Sequence, residues 1–227
     1  MTYHLIIGDY AYSSWSLRGW LLLEKFNLPR RETLLNFHDP AGVAAQMADH
    51  APAKTVPTLV TEDGVAISDS LAIAEELASR HPDAGFWPKN PKHRAVARTL
   101  AAEMHSGFTA LRGDCPMNLR TAYADSQPSS AVLEDVARLE TIWSWARDMC
   151  GSKGQWLCGD YCVADVFFAP VAARLAGYSL PMSDMAQAYV NSHLTDPAFQ
   201  KWRALGLEIG DTLPWYKKDY PTKDWPA

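Results

Sequence analysis

Apolar and polar positions change rhythm part-way along the chain. Tyr3 to Ile7 is a β-favouring run that stops at Gly8-Asp9, the punctuation expected at the end of a strand. Trp15 to Phe26 then reads as helix, with Leu17, Trp20, Leu21, Leu22 and Leu23 placing apolar groups on most of its sides. A helix of that kind is expected to be covered on two faces. Arg31 to Phe37 reads as a second strand. Thr58 to Thr61 and Val65 to Ser68 flank Glu62-Asp63-Gly64, which predicts a hairpin with glycine in its turn. Leu71 to Ser79 reads as helix, so the order is β-α-β, a loop, then β-β-α.

His81 to Pro91 carries three prolines and reads as a linker, because proline interrupts ladders and helices alike. Beyond it the strand signals fade. Lys92 to Leu111, Ala131 to Met149, Val163 to Ala176, Met182 to His193 and Pro197 to Leu207 are predicted helices. Val132, Val136, Leu139, Trp143 and Ala146 show the helical spacing well. The expected organisation is a mixed α/β unit over 1–80, a linker over 81–91, an all-helical unit over 92–210 and an aromatic, proline-rich tail over 211–227.

With 227 residues, 48% of them hydrophobic, the chain has ample material for a core. A net charge of -5 without any Lys/Arg run argues against nucleic-acid binding. No apolar run reaches membrane-spanning length and no secretory leader is recognisable, so a cytoplasmic protein is expected. The four cysteines, Cys115, Cys150, Cys158 and Cys162, suit a reducing compartment, and none has the neighbours of a zinc finger; no metal is expected.

Three local motifs bear on chemistry. Ser13, Ser14 and Ser16 crowd the start of the first helix, where one cap would suffice; a helix start also favours anions such as a thiolate. Val56-Pro57 precedes the hairpin, either as a plain edge-strand start or as a cis bond that turns the Val56 backbone toward a peptide-like ligand. Ser68-Asp69-Ser70 opens the next helix. All three can cap, yet Ser70 and the helix amides could equally take a carboxylate, and Asp69 an ammonium group.

In this order and at these spacings, Ser-Ser-x-Ser-x-Arg from Ser13 to Arg18, Val56-Pro57 and Asp69-Ser70 resemble the cytosolic glutathione transferases. The nearest class is the serine-type, zeta-like enzymes and their bacterial relatives. Gly159 to Asp165 is similar to the family's helix-capping motif, although Cys162 stands where Ser or Thr is usual. Zeta enzymes also carry a cysteine where this chain has Trp15, which sets isomerase chemistry in question.

The resemblance implies a thioredoxin-like N-terminal domain (β-α-β-α-β-β-α), an all-α C-terminal domain, a homodimer and glutathione as co-substrate. Ser13 would donate to the glutathione sulfur, with Ser14 as rival and Trp15 alongside. Val56, ahead of Pro57, would pair with the cysteinyl part, Asp69 and Ser70 would hold the γ-glutamyl end, and Lys54 would meet the glycyl carboxylate. The second substrate would be a small apolar electrophile between the domains. Met104, His105, Phe108 and Arg112 recur at helical spacing and could line that pocket, with Met117 and Asn118 following and Arg174 a further candidate. Such a stripe is also an ordinary core pattern. Isomerase, dehalogenase or peroxidase chemistry could start from the same thiolate, and a non-catalytic binding module is the alternative. Dithiol oxidoreductase chemistry is disfavoured, since residues 13–16 are Ser-Ser-Trp-Ser and the first cysteine is Cys115.

Overall fold

The computed structural model describes residues 2–226. β1 (Tyr3–Ile7) leads through α1 (Ser14–Glu24) to β2 (Arg30–Leu34), which lies parallel to β1 with Leu5 opposite Glu32. A loop containing the short α2 (Gly42–Gln46) leads to β3 (Thr58–Val60) and β4 (Ala66–Ser68). β3 runs antiparallel to both β1 and β4, giving a mixed sheet of order β2-β1-β3-β4. α3 (Ser70–Arg80) closes this part. The sequence reading of these strands and helices holds, with ends shifted by up to three residues, the most at the end of β2.

The rest is mainly helical: α4 (Pro91–Ser106), α5 (Thr109–Asp114), α6 (Ser130–Cys150), α7 (Val163–Gly177), α8 (Asp184–Leu194) and α9 (Pro197–Glu208). Two differences from the sequence reading have clear causes. The single helix expected over 92–111 is broken, because Gly107 ends α4 and Phe108 turns left-handed at φ 57°. A side chain at Gly107 would meet the Glu103 carbonyl at 2.8 Å, so the break suits glycine. The tail also adds a strand: β6 (Thr222–Lys223) pairs with β5 (Ala122–Tyr123). Strands of two residues are too short to show a period.

α1 is enclosed, as its all-round apolar pattern requires, and packs against α3, α7 and α9. Every residue of α7 is buried. Its start is fixed by Asp165, whose carboxylate accepts from the Cys162 amide at 3.0 Å and from the Tyr189 hydroxyl at 2.8 Å. The stretch 81–91 is more integrated than a linker needs to be: Phe86 is buried, stacks on Phe26 and accepts the Val163 amide through its carbonyl.

His193, near the end of α8, is buried between Trp156 and Tyr189 with Nε2 unpartnered. Burial, helped by Lys25, pushes its pKa down to about 3. The unfolded chain takes up that proton near pH 6.5, so the folded state loses ground as pH falls from there toward 3, by about 1.4 kcal/mol per unit. Asp165 works in the opposite sense, since burial raises its pKa to about 6. The difference between wild type and His193→Phe isolates the histidine. Urea unfolding from pH 7 to 4 should show wild type losing stability relative to the variant; a constant difference would contradict the buried neutral ring.

Candidate functional site

β4 runs in the direction of β1, because each is antiparallel to β3. The helices that follow them, α1 and α3, therefore start at the same edge of the sheet. Both starts open onto one cleft of about 560 Å³, lined also by the 54–57 loop, His105 on α4, Pro116 and Met117, Arg174 on α7 and Tyr216 from the tail.

The start of α1 is held by a chain of short contacts. Asp9 accepts the amides of Ala11 and Tyr12. Ser13 caps the helix, accepting from the Ser16 amide at 3.3 Å while its hydroxyl donates to Ser16 Oγ at 2.8 Å. Ser16 Oγ also accepts the Gly8 amide. The Ser14 hydroxyl instead accepts from Arg174 at 3.2 Å, which turns its proton away from that guanidinium. Both Ser13 and Ser14 line the cleft.

Opposite them, Asp69 caps α3 by accepting the amides of Leu71 and Ala72. It does so at φ 115°, a conformation rare outside glycine and costly enough, at roughly 1–3 kcal/mol, to mark functional sites. Its other oxygen pairs with His105 Nε2 at 3.0 Å. Ser70, the next residue, lines the cleft with a buried hydroxyl that has no partner among the described residues. A buried polar group left unpaired costs about 1–3 kcal/mol, so this hydroxyl is short of a ligand.

The Val56-Pro57 bond is cis, and Val56, Pro57 and Lys54 all line the cleft. Gly19 lets α1 approach this loop: a Cβ there would sit 2.6 Å from the Pro57 Cβ. Trp15 lines the cleft edge-on to His105 and lies under two guanidiniums, Arg18 and Arg112, each 4.7 Å from its ring.

The electrophile residues expected from the α4 stripe divide. His105 and the following Met117 reach the cleft. Met104 is fully buried and Phe108 nearly so, both in the core: Met104 lies on the buried face of α4 with Val96, Ala97, Leu100 and Ala101, and Phe108 lies past the break at Gly107. Arg112 lies behind Trp15, bonded to the Gly107 carbonyl. Asn118 is buried and accepts the Arg120 and Thr121 amides. Tyr12, Phe37, Val43 and Tyr216 also line the cleft, without any sequence reading pointing there; only the aromatic richness of the tail hinted at Tyr216.

The site is rich in buried positive charge. Arg18 is buried with Nε and Nη1 unpartnered, and stacks on Phe167 as well as Trp15. Its pKa is pushed well down by burial, then by Arg174 and Arg112, with Asp69 acting against them. Arg174 is likewise lowered to about 10 by burial and Arg112. It bonds to the carbonyls of Cys115 and Pro170 and to Ser14, and to no carboxylate among the described residues.

A family model described as "Glutathione S-transferase, N-terminal domain" matches residues 12–80. "Probable maleylacetoacetate isomerase" from Caenorhabditis elegans is 30% identical over 155 residues, covering 65% of this chain and 69% of that protein. This chain belongs to the glutathione S-transferase family. A second relative, "Maleylacetoacetate isomerase" from Rattus norvegicus, is 28% identical over 133 residues, with 58% and 59% coverage. The fold agrees with a Burkholderia glutathione transferase homolog solved with bound glutathione (TM-score 0.68, 22% identity, 92% of this chain and 100% of that one). It agrees equally with glutathione transferase Omega 2S from Trametes versicolor in complex with 2,4-dihydroxybenzophenone (TM-score 0.69, 20% identity, 91% and 96% coverage). Among the described residues no helix is long and apolar enough to cross a membrane.

Because α1 and the Pro57 loop touch through Gly19, Gly19→Ala should lower stability by about 1–3 kcal/mol, the usual cost of overpacking. Thermal unfolding with and without the cleft's ligand checks this; an unchanged melting temperature would mean the loop moves aside freely.

Proposed function

We propose that the cleft binds reduced glutathione, holds its sulfur as a thiolate over the start of α1 and adds it to an electrophile bearing a carboxylate. Ser70 supports this reading most: at the start of α3, beside the Asp69 carboxylate, its buried hydroxyl lacks a partner among the described residues. A γ-glutamyl end offers one carboxylate and one ammonium on the same carbon. Ser70 and the helix amides suit the first, and Asp69 the second. Val56 would meet the cysteinyl part through its backbone and Lys54 the glycyl carboxylate, as the motif order implies.

The sulfur would then lie between Ser13 and Ser14. Ser14 has its proton free without rearrangement, because its oxygen is taken by Arg174. Ser13 frees its own if the Ser13–Ser16 hydroxyl pair rotates so that Ser16 donates. A hydrogen bond to a charged group contributes about 1.5–3 kcal/mol, and a helix start about 0.3–1 more. At about 1.4 kcal/mol per unit, one hydroxyl and the helix bring a thiol of pKa about 8.5 down by one to two units. The thiolate is the nucleophile.

Arg174 favours a charged electrophile. It is a buried guanidinium on the cleft wall without a carboxylate, and a substrate carboxylate would supply one. That observation, with the names of the two relatives above, favours isomerisation of a maleyl-type conjugated acid as the second reading. The thiolate adds to the double bond, the resulting single bond rotates, and the thiolate leaves. Trp15, where zeta enzymes have cysteine, must then serve as a wall under Arg18 and Arg112. A cytoplasmic homodimer belongs to the same reading; four free thiols suit a reducing compartment, and sedimentation tests the dimer.

Thiolate absorbance of bound glutathione against pH tests the serines. Ser13→Ala and Ser14→Ala should each raise the bound thiol's pKa by about one unit, and the double variant should return it to about 8.5. A double variant that titrates like wild type would remove both from the mechanism. Arg174→Met should raise KM at least about tenfold for a maleyl carboxylate and leave that for a neutral aryl halide unchanged, the loss of one charge-assisted bond being worth about 1.5–3 kcal/mol. An equal effect on both substrates would sink the carboxylate assignment, and binding without turnover of either would favour a non-catalytic module.

A further inference from the structure

A second cleft of about 790 Å³ lies where the end of α6 meets the loop leading into α7, away from the two helix starts described above. Cys150, Cys158 and Cys162 all line it, and none is in a disulfide. The buried Cys158 thiol has both of the others as side-chain neighbours. Cys162 is the N-cap of α7, so its sulfur faces the Asp165 amide on one side and Cys158 on the other. A thiol is a weaker cap than the hydroxyl usual in this motif, and helix capping alone gives no reason for it.

The three thiols are not equivalent. Contact with Cys162 and Cys150 favours the charged form of Cys158 and lowers its pKa against the effect of burial. Cys150 and Cys162 are both raised, the first chiefly by burial and the second chiefly by the bond to Cys158. The Asp165 carboxylate acts on Cys158 in the opposite sense, alongside burial. Cys150 is partly exposed at the last position of α6, whereas Cys162 is almost wholly buried and occupied as a cap. The row therefore has a thiolate-prone centre, an accessible neighbour at one end and a fixed neighbour at the other.

We propose that Cys158 is a peroxide-reactive thiol and Cys150 its resolving partner, forming a reversible disulfide that ties the end of α6 to the loop before α7. The Cys158 thiolate attacks one oxygen of a hydroperoxide, the O–O bond breaks, and Cys158 becomes sulfenic acid as the second oxygen leaves as water or alcohol. The Cys150 sulfur then attacks Cys158, the S–O bond breaks, and the second water leaves with the Cys150 proton. Two thiols are oxidised and one peroxide is reduced, with no further reactant. A thiol or dithiol reductant restores both. The residues between the partners, 151–157, include Gly151 and Gly154, which let the loop adjust. This site is independent of the glutathione reading, and either can fail alone.

The test is limited hydrogen peroxide on the reduced full chain, followed by thiol blocking and peptide mapping. The expected product is a Cys150–Cys158 link, lighter than the reduced peptides by two hydrogens and reversed by dithiothreitol. Cys115, which lies outside this cleft and whose thiol burial raises to about 11, should stay reduced. Cys150→Ser changes a partly exposed residue and should leave Cys158 as a sulfenic acid that dimedone traps. The proposal is overturned if the link joins Cys158 to Cys162, if all four thiols survive peroxide, or if Cys150→Ser still forms an intramolecular disulfide.

Discussion

Two helix starts share one edge of the sheet, and the rest of the site follows from that. The direction of β4 is set by its pairing with β3, and that of β3 by its pairing with β1. Two reversals bring β4 back parallel to β1, so α1 and α3 open side by side. Each helix start carries the positive end of a dipole, and side-chain caps from Ser13 and Asp69 take part of its first-turn amides. A ligand with negative groups at two separated points is what such an edge can hold. The chain fills in the specificity locally, with hydroxyls at Ser13, Ser14 and Ser70 and a single carboxylate at Asp69.

A second layer of positive charge sits behind the first. Arg18 and Arg174 are buried and Arg112 stacks on the same tryptophan as Arg18, while the carboxylate that acts on Arg18 is Asp69. Buried cations are costly unless paired. Aromatic faces at Trp15 and Phe167 and the carbonyls of Cys115 and Pro170 offset part of that cost. The remainder is a field waiting for an anion. The opposite arrangement holds at His193, where burial keeps the ring neutral and the group contributes no charge near neutral pH.

Much of this was readable in the residues, and what escaped did so for physical reasons. Strong periodicity carried α1, the hairpin and the long helices, because burial on one or more faces leaves a repeating mark. Motif order carried the cleft wall at Ser13, Val56-Pro57 and Asp69-Ser70. The α4 stripe allowed either a pocket wall or core, and Met104 and Phe108 lie in the core, the first on the buried face of α4 and the second past the helix break. Tyr216 reaches the cleft from the tail, and a contact so distant in sequence leaves no local trace. The thiol row is a similar case. Cys150 stands too far from Cys158 and Cys162 for spacing alone to join them.

The central claim is that one end of the cleft is built for a γ-glutamyl group. Calorimetric titration of the full chain with glutathione, and separately with cysteinylglycine, which lacks that group, addresses it directly. The account predicts saturable one-to-one binding of glutathione and at least about a hundredfold weaker binding of the dipeptide, the loss of two charge-assisted contacts at about 1.5–3 kcal/mol each. Equal affinity for both, or heat from neither, would contradict it.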